Sequence, residues 1–214
     1  VNAIKILLAS QNEHKIKEFK TIFEDTPITL ISLKDLKDDD EVEETELTFV
    51  KNALIKAKYF AKKYHMPAIS DDSGLCVDAL DGKPGVHSKR YANGKDYDNN
   101  IKLLNALKGV EDRRAYFYAA IVIYFPDCTY KVYEGKVHGT IGHELKEIEA
   151  FGYDPIFYPD GYHQTFAELG PKIKNEISHR GLALKKVKGD LFEIINHKWY
   201  TRKHRTIRWS CKKT

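Results

Sequence analysis

With 214 residues, 42% of them hydrophobic and 31% charged, and with 13 glycines and 7 prolines, the chain has the composition of an ordered globular protein, which excludes disordered and fibrous classes. Its longest uncharged apolar run, residues 115–126, is well short of the roughly 20 residues a membrane helix requires, so no membrane partner is expected. Net charge is +4, yet residues 198–214 hold seven Lys or Arg and no acid; without them, residues 1–197 carry −3.

The chain opens with a predicted strand at 4–9, then a helical apolar spacing over 12–23 that Asn12 can cap. A second strand is predicted at 28–33, and the acidic run 35–44 lacks any apolar period and reads as a loop. Residues 47–65 give the strongest helix, with Val50, Ala53, Leu54, Ala57, Phe60, Ala61 and Tyr64 on one face. At about 100° per residue, Lys56 is the lysine nearest that stripe.

After Pro67 comes a short strand ending at Asp71-Asp72-Ser73-Gly74, a second short strand at 75–80, and a turn at 81–86. A helix over 96–109 ends at Gly109. Residues 114–125 and 128–138 predict long antiparallel strands, 151–166 a turn and strand, and 177–187 a helix entered through Ser178. The result is a mixed α/β fold in which helices pack on a mixed sheet. No Gly- or Pro-rich linker divides residues 1–197, which are taken as one domain, with 198–214 as a basic C-terminal extension. That extension, with Trp and Tyr among its cations, could grip nucleic acid or be a solvated tail.

Cys76, Cys128 and Cys211 form no CxxC pair, so reduced thiols and a cytoplasmic location are expected. The short N-terminal apolar stretch, broken by Lys5, does not read as a signal peptide. No two glycines lie two apart and no lysine completes GxxxxGK, so neither a Rossmann fingerprint nor a P-loop occurs.

Several stretches could carry chemistry. Ser10–Lys15 spans a strand-to-helix turn, where free N–H groups, the helix dipole and Lys15 suit a phosphate. Asp71 and Asp72 could bind Mg²⁺ or draw a proton from water, and as strand neighbours they face opposite ways, so one should face the site. A plain turn with side chains bonding the backbone is the competing reading. Lys56 is either a snorkelling surface lysine or a cation aimed at a ligand. Glu43 or Glu44 could complete a metal site with Asp72. Phe151–Asp154 offers aromatic stacking and a carboxylate for ring N–H groups, and Ser178–Arg180 offers donors for a keto oxygen or phosphate. A packed aromatic turn and an ordinary helix cap are the alternatives there.

Together, LLASQNEHK, EETELTF, NALIKA, DDSGLCVDAL with PGVHSKRYA, FGYDPIF, TFAEL and ISHRGLAL resemble, in order and spacing from about Ile4 to Val187, the inosine triphosphate pyrophosphatase family, the non-canonical purine NTP pyrophosphatases. The resemblance implies a long mixed sheet flanked by helices with two lobes around a central cleft, commonly in a homodimer. It implies Mg²⁺-dependent hydrolysis of ITP, dITP or XTP between the α and β phosphates, giving the monophosphate and pyrophosphate.

Carried over residue by residue, Ser10, Gln11, Asn12, Glu13, His14 and Lys15 would hold phosphate. Asp72 would accept the proton and, with Glu44, bind Mg²⁺, while Lys56 and Ser73 face the triphosphate. Phe151, Gly152, Tyr153 and Asp154 with Lys174, His179 and Arg180 would enclose the base. Lys51, Glu46 and the run 147–150 depart from the family pattern without removing any of these groups. The alternatives are a related pyrophosphatase for other modified nucleotides, or a nucleic-acid binder acting through 198–214; a nucleic-acid partner is the weaker expectation.

Overall fold

Five residues, Ile4–Leu8, ending in the buried run Ile6–Leu8, form β1 (a computed structural model, which describes residues 4–197), and Glu13–Phe23 follow as α1, capped by Asn12. The chain continues through β2 (Ile28–Ser32), α2 (Phe49–Tyr64), β3 (Ala68–Val77), α3 (Asp96–Ala106), β4 (Arg114–Tyr124), β5 (Tyr130–Ile141), β6 (Phe157–Pro159), α4 (Phe166–Ile177), α5 (His179–Gly189) and α6 (Leu191–Ile195). Six strands pair in the order β2-β1-β3-β4-β5-β6. β1 runs parallel to β2 and β3, while β6 is antiparallel to β5, so the sheet is mixed as predicted. β4 and β5 are joined by a turn in which Phe125 N–H donates to the Thr129 carbonyl and Cys128 takes a positive φ.

The chain forms two compact units, each with its own core. Of the described residues, the first comprises those from Ile4 to Asp71, Ile121–Tyr133 and those from Leu184 to His197. Its core joins Leu7, Ala68 and Val122 to Ala53, Ala57, Phe60 and Ala61, the i, i+4, i+7, i+8 stripe of α2. Three alanines in that stripe let the helix lie close to its strands, and burial of Phe60 contributes about 2–3 kcal/mol. The second unit comprises Asp72–Ala120 and Glu134–Ala183. Its core is aromatic: Phe117 meets Phe157 edge-on at 4.7 Å, and Phe157 stacks with Phe166 at 5.3 Å.

One expectation needs correction, and one helix was not anticipated. The two short strands predicted on either side of Ser73-Gly74 are one strand, β3, because both residues stay extended and paired; Asp71 and Asp72 therefore lie mid-strand, not at a strand end. α4 carries no matching expectation, since Gly170, at φ +76°, and Pro171 interrupt its period, although Thr165 and Glu168 form a reciprocal capping box at its start. Cys76 is a buried free thiol. The basic extension 198–214 and Cys211 lie outside the described residues. Among those described, no helix is long and apolar enough to cross a membrane.

Candidate functional site

In the first unit, the turn after β1 is built by its own side chains. Asn12 N–H donates to Ser10 Oγ at 3.2 Å, and the Asn12 side-chain oxygen accepts from Lys15 N–H at 3.1 Å, which starts α1. The Gln11 amide donates to the Asp38 carbonyl at 3.1 Å, tying this turn to the acidic loop.

The start of α1 sets Lys15 beside Asp71: its ammonium is 2.6 Å from the carboxylate and 3.3 Å from the carbonyl oxygen of that residue. Lys56 donates to the same carbonyl at 2.9 Å and to Glu44 Oε1 at 2.5 Å. Two ammonium groups thus share one carbonyl, their repulsion offset by a carboxylate on each. Lys56 is not a snorkelling surface lysine. Glu44 joins this group, whereas Glu43 is exposed. The Glu13 carboxylate pairs with exposed Lys34, whose hydrogen bond holds it below the usual carboxylate range. His14 is exposed.

In the second unit, Asp72 is 5% exposed and its Oδ1 accepts from Ser73 N–H at 3.1 Å. Ser73 Oγ in turn accepts from the buried Arg180 guanidinium at 2.8 Å. The buried His179 ring stacks on Phe117 at 4.8 Å, and Ser178 Oγ accepts from Gly181 N–H at 3.1 Å to open α5. Gly135 on β5 allows this placement: a Cβ there would lie 1.9 Å from the His179 carbonyl oxygen. An isolated glycine inside a strand signals such an approach, and neither Gly135 nor Phe117 was singled out from sequence.

Asp154 pairs with Lys174 at 2.5 Å, both nearly buried, and Lys174 lies 5.9 Å from the centre of the Phe151 ring. Tyr153 donates to the Ser88 carbonyl at 2.8 Å; burial pushes its hydroxyl far above the ordinary phenol range, so it is a neutral donor.

The structure therefore gathers Lys15 and Lys56 on Asp71, with Glu44 on Lys56 and the Ser10–Asn12 turn leading into Lys15, in one unit. It gathers Asp72, Ser73 and Arg180, and separately Phe151, Asp154 and Lys174, in the other. Asp71 and Asp72, adjacent on β3, serve different partners. The carboxylate oxygens of Glu44 and Asp72 are hard donors of the kind Mg²⁺ takes. Asp38, Asp39 and Asp40 form another acidic cluster, but Lys63 pairs with Asp38 and Asp40 at 2.7 and 2.6 Å, and Tyr64 and Tyr59 donate to these two aspartates. Those bonds, Lys63 first and Tyr64 next, lower the Asp38 carboxyl to about 2.

Comparison with known proteins places these groups in context. The profile of the Ham1 family matches residues 6–190. The dITP/XTP pyrophosphatase of Acholeplasma laidlawii is 46% identical over 197 residues, covering 92% of this chain and 98% of that protein. Among solved structures, the Ham1 protein of Staphylococcus aureus is 42% identical, with a TM-score of 0.81, covering 89% of this chain and 99% of that one. A HAM1 protein from Coxiella burnetii matches with 41% identity and a TM-score of 0.82, over 89% and 99% of the two chains.

Proposed function

Because this chain belongs to the Ham1 family, we propose that it hydrolyses purine nucleoside triphosphates with deaminated bases, namely dITP, XTP and ITP, to the monophosphate and pyrophosphate. The observation that carries this reading is the division of labour on β3: Asp71 holds two lysines, and the next residue, Asp72, is a buried carboxylate beside Ser73.

Hydrolysis of a phosphoanhydride needs charge neutralisation and alignment more than covalent help. Lys15 and Lys56 supply positive charge for the triphosphate, and the positive end of the α1 dipole adds to it. Water cleaves the bond between the α and β phosphates, pyrophosphate departs, and the water proton passes to the Asp72 carboxylate. Glu44 and Asp72 would hold Mg²⁺, which supplies charge neutralisation on the phosphate oxygens when bound.

Base choice rests on the second unit. Phe151 offers a ring for stacking, and the Lys174 ammonium fixes the Asp154 carboxylate to accept from a ring N–H. His179 and Arg180 present donors to a 6-keto oxygen. Adenine would set an amino group against those donors and leave buried polar groups unpaired, the kind of mismatch that discriminates strongly. The same reading carries a cytoplasmic enzyme and a homodimer, the latter to be measured by light scattering.

The test is pyrophosphate release from ITP, dITP and XTP beside ATP and GTP, with Mg²⁺ and again with EDTA. Mg²⁺-dependent release confined to the first three is expected. Release of orthophosphate, or no turnover, would overturn the assignment.

A further inference from the structure

We infer that Asp96 and Asn100, on the first two turns of α3, are positioning residues that set base recognition by holding the backbone of Gly152. The inference rests on the reading that Phe151–Asp154 takes the base. Gly152 N–H donates to Asp96 Oδ2 at 2.7 Å, and the Gly152 carbonyl accepts from Asn100 Nδ2 at 2.7 Å. Both backbone polar groups of one residue are thus engaged by side chains four apart in α3, a spacing that puts them on one helix face. Asn100 Nδ2 also donates to the Asp96 carbonyl at 2.7 Å, so the two arms of the clamp are bonded to each other.

The glycine explains why a clamp is needed. Gly152 has φ +64°, yet a Cβ there would meet nothing within 4 Å, so glycine is required by conformation and not by space. Glycine permits that conformation without enforcing it, since it is the residue with most backbone freedom. The fixed geometry of the segment must come from outside it, and α3 supplies it.

Asn100 also has a cost that a purely structural residue would not retain. It is 2% exposed, and its side-chain oxygen is buried without a hydrogen-bond partner among the described residues. An apolar residue would remove that penalty but would also lose the donor to Gly152.

A second connection reaches the same segment through Asn99. Its amide donates to the Lys89 carbonyl at 3.1 Å and its oxygen accepts from Ala92 N–H at 2.7 Å, which fixes the stretch carrying Ser88, the acceptor of the Tyr153 hydroxyl. With Lys174 on Asp154, the run from Gly152 to Asp154 is held residue by residue. The distances of Asp96, Asn99 and Asn100 in sequence from 151–154 place this whole role beyond any local motif.

The experiment compares Asp96→Ala, Asp96→Asn and Phe151→Ala with the wild-type enzyme in steady-state pyrophosphate release from dITP and dATP with Mg²⁺, alongside thermal melts. Asp96 is half-exposed, so the variants should fold. Asp96→Ala is expected to raise KM for dITP about tenfold with kcat changed less than about threefold, and to narrow the dITP to dATP ratio of kcat/KM. Asp96→Asn keeps an oxygen acceptor and should recover most of that loss. A lower melting temperature with KM and selectivity unchanged would overturn the clamp. If Phe151→Ala raises KM for dITP while Asp96→Ala does not, the base-segment reading stands and the clamp fails. If Phe151→Ala also leaves KM unchanged, the base-segment reading fails and the clamp's proposed role with it.

Discussion

The Lys15 ammonium lies 2.6 Å from the Asp71 carboxylate, whose side chain is 1% exposed. The pair sets a buried negative charge under a cation proposed to serve the triphosphate. Lys15→Met would strand that carboxylate, and removing one partner of a buried pair costs about 3 kcal/mol. Urea unfolding should show this loss together with weakened dITP hydrolysis; a change below about 1 kcal/mol would mean that water or other groups serve Asp71 in place of Lys15.

Asp72→Asn keeps the size of the side chain and an oxygen to accept from Ser73 N–H. It removes the proposed proton acceptor. Turnover of dITP should fall by about 10²–10⁴ with an unchanged circular dichroism spectrum, the range expected for a general base. Near-normal turnover would remove Asp72 from that role.

Gly135→Ala places a methyl group where the His179 carbonyl stands, a backbone atom that cannot rotate away. Overpacking of this kind costs about 1–3 kcal/mol. The expected outcome is a lower melting temperature and a raised KM for dITP, because the start of α5 must shift and His179 and Arg180 with it. A variant with wild-type stability would show that α5 moves without consequence.

Asp38 tests the acidic loop. Its carboxyl is lowered from 3.8 to about 2 in the folded chain, by the hydrogen bond from Lys63 and then that from Tyr64. A lowered folded value means that the unfolded chain binds the proton more readily, so the contribution is complete above pH 3.8 and is lost as pH falls to about 2. The gap in urea midpoint between wild type and Asp38→Asn should therefore be widest near neutral pH and close with acidification through this window. A gap independent of pH would show that the carboxylate charge plays no part.

Legibility in the sequence followed the physical origin of each feature. β1, α1, α2, β4 and β5 bury one face or both, and their apolar spacing was readable directly. β3 was not, because Ser73-Gly74 is turn chemistry by local preference, and only pairing within the sheet keeps it extended. α4 was hidden by Gly170-Pro171, though its capping box was present in the letters Thr165 and Glu168. In the site, Lys15, Lys56, Glu44, Asp72 and Ser73 were visible as chemistry placed next to predicted elements. The bonding partners were less so: Asp71 read as a possible turn residue, and Asp96, Asn100 and Gly135 act through contacts with backbone far along the chain, for which no short-range pattern exists.

The continuity of β3 also constrains how this protein can change. Were Asp71 and Asp72 on a loop, an inserted or deleted residue could be absorbed by the loop's slack. Within a paired strand, a shift of one position exchanges the two faces, putting the residue that anchors the two lysines where the carboxylate beside Ser73 stands, and the reverse. The length of chain between Ala68 and Asp72 is therefore as much a part of this arrangement as the carboxylates themselves: substitutions can be tested there one by one, but a changed spacing exchanges the partners of both.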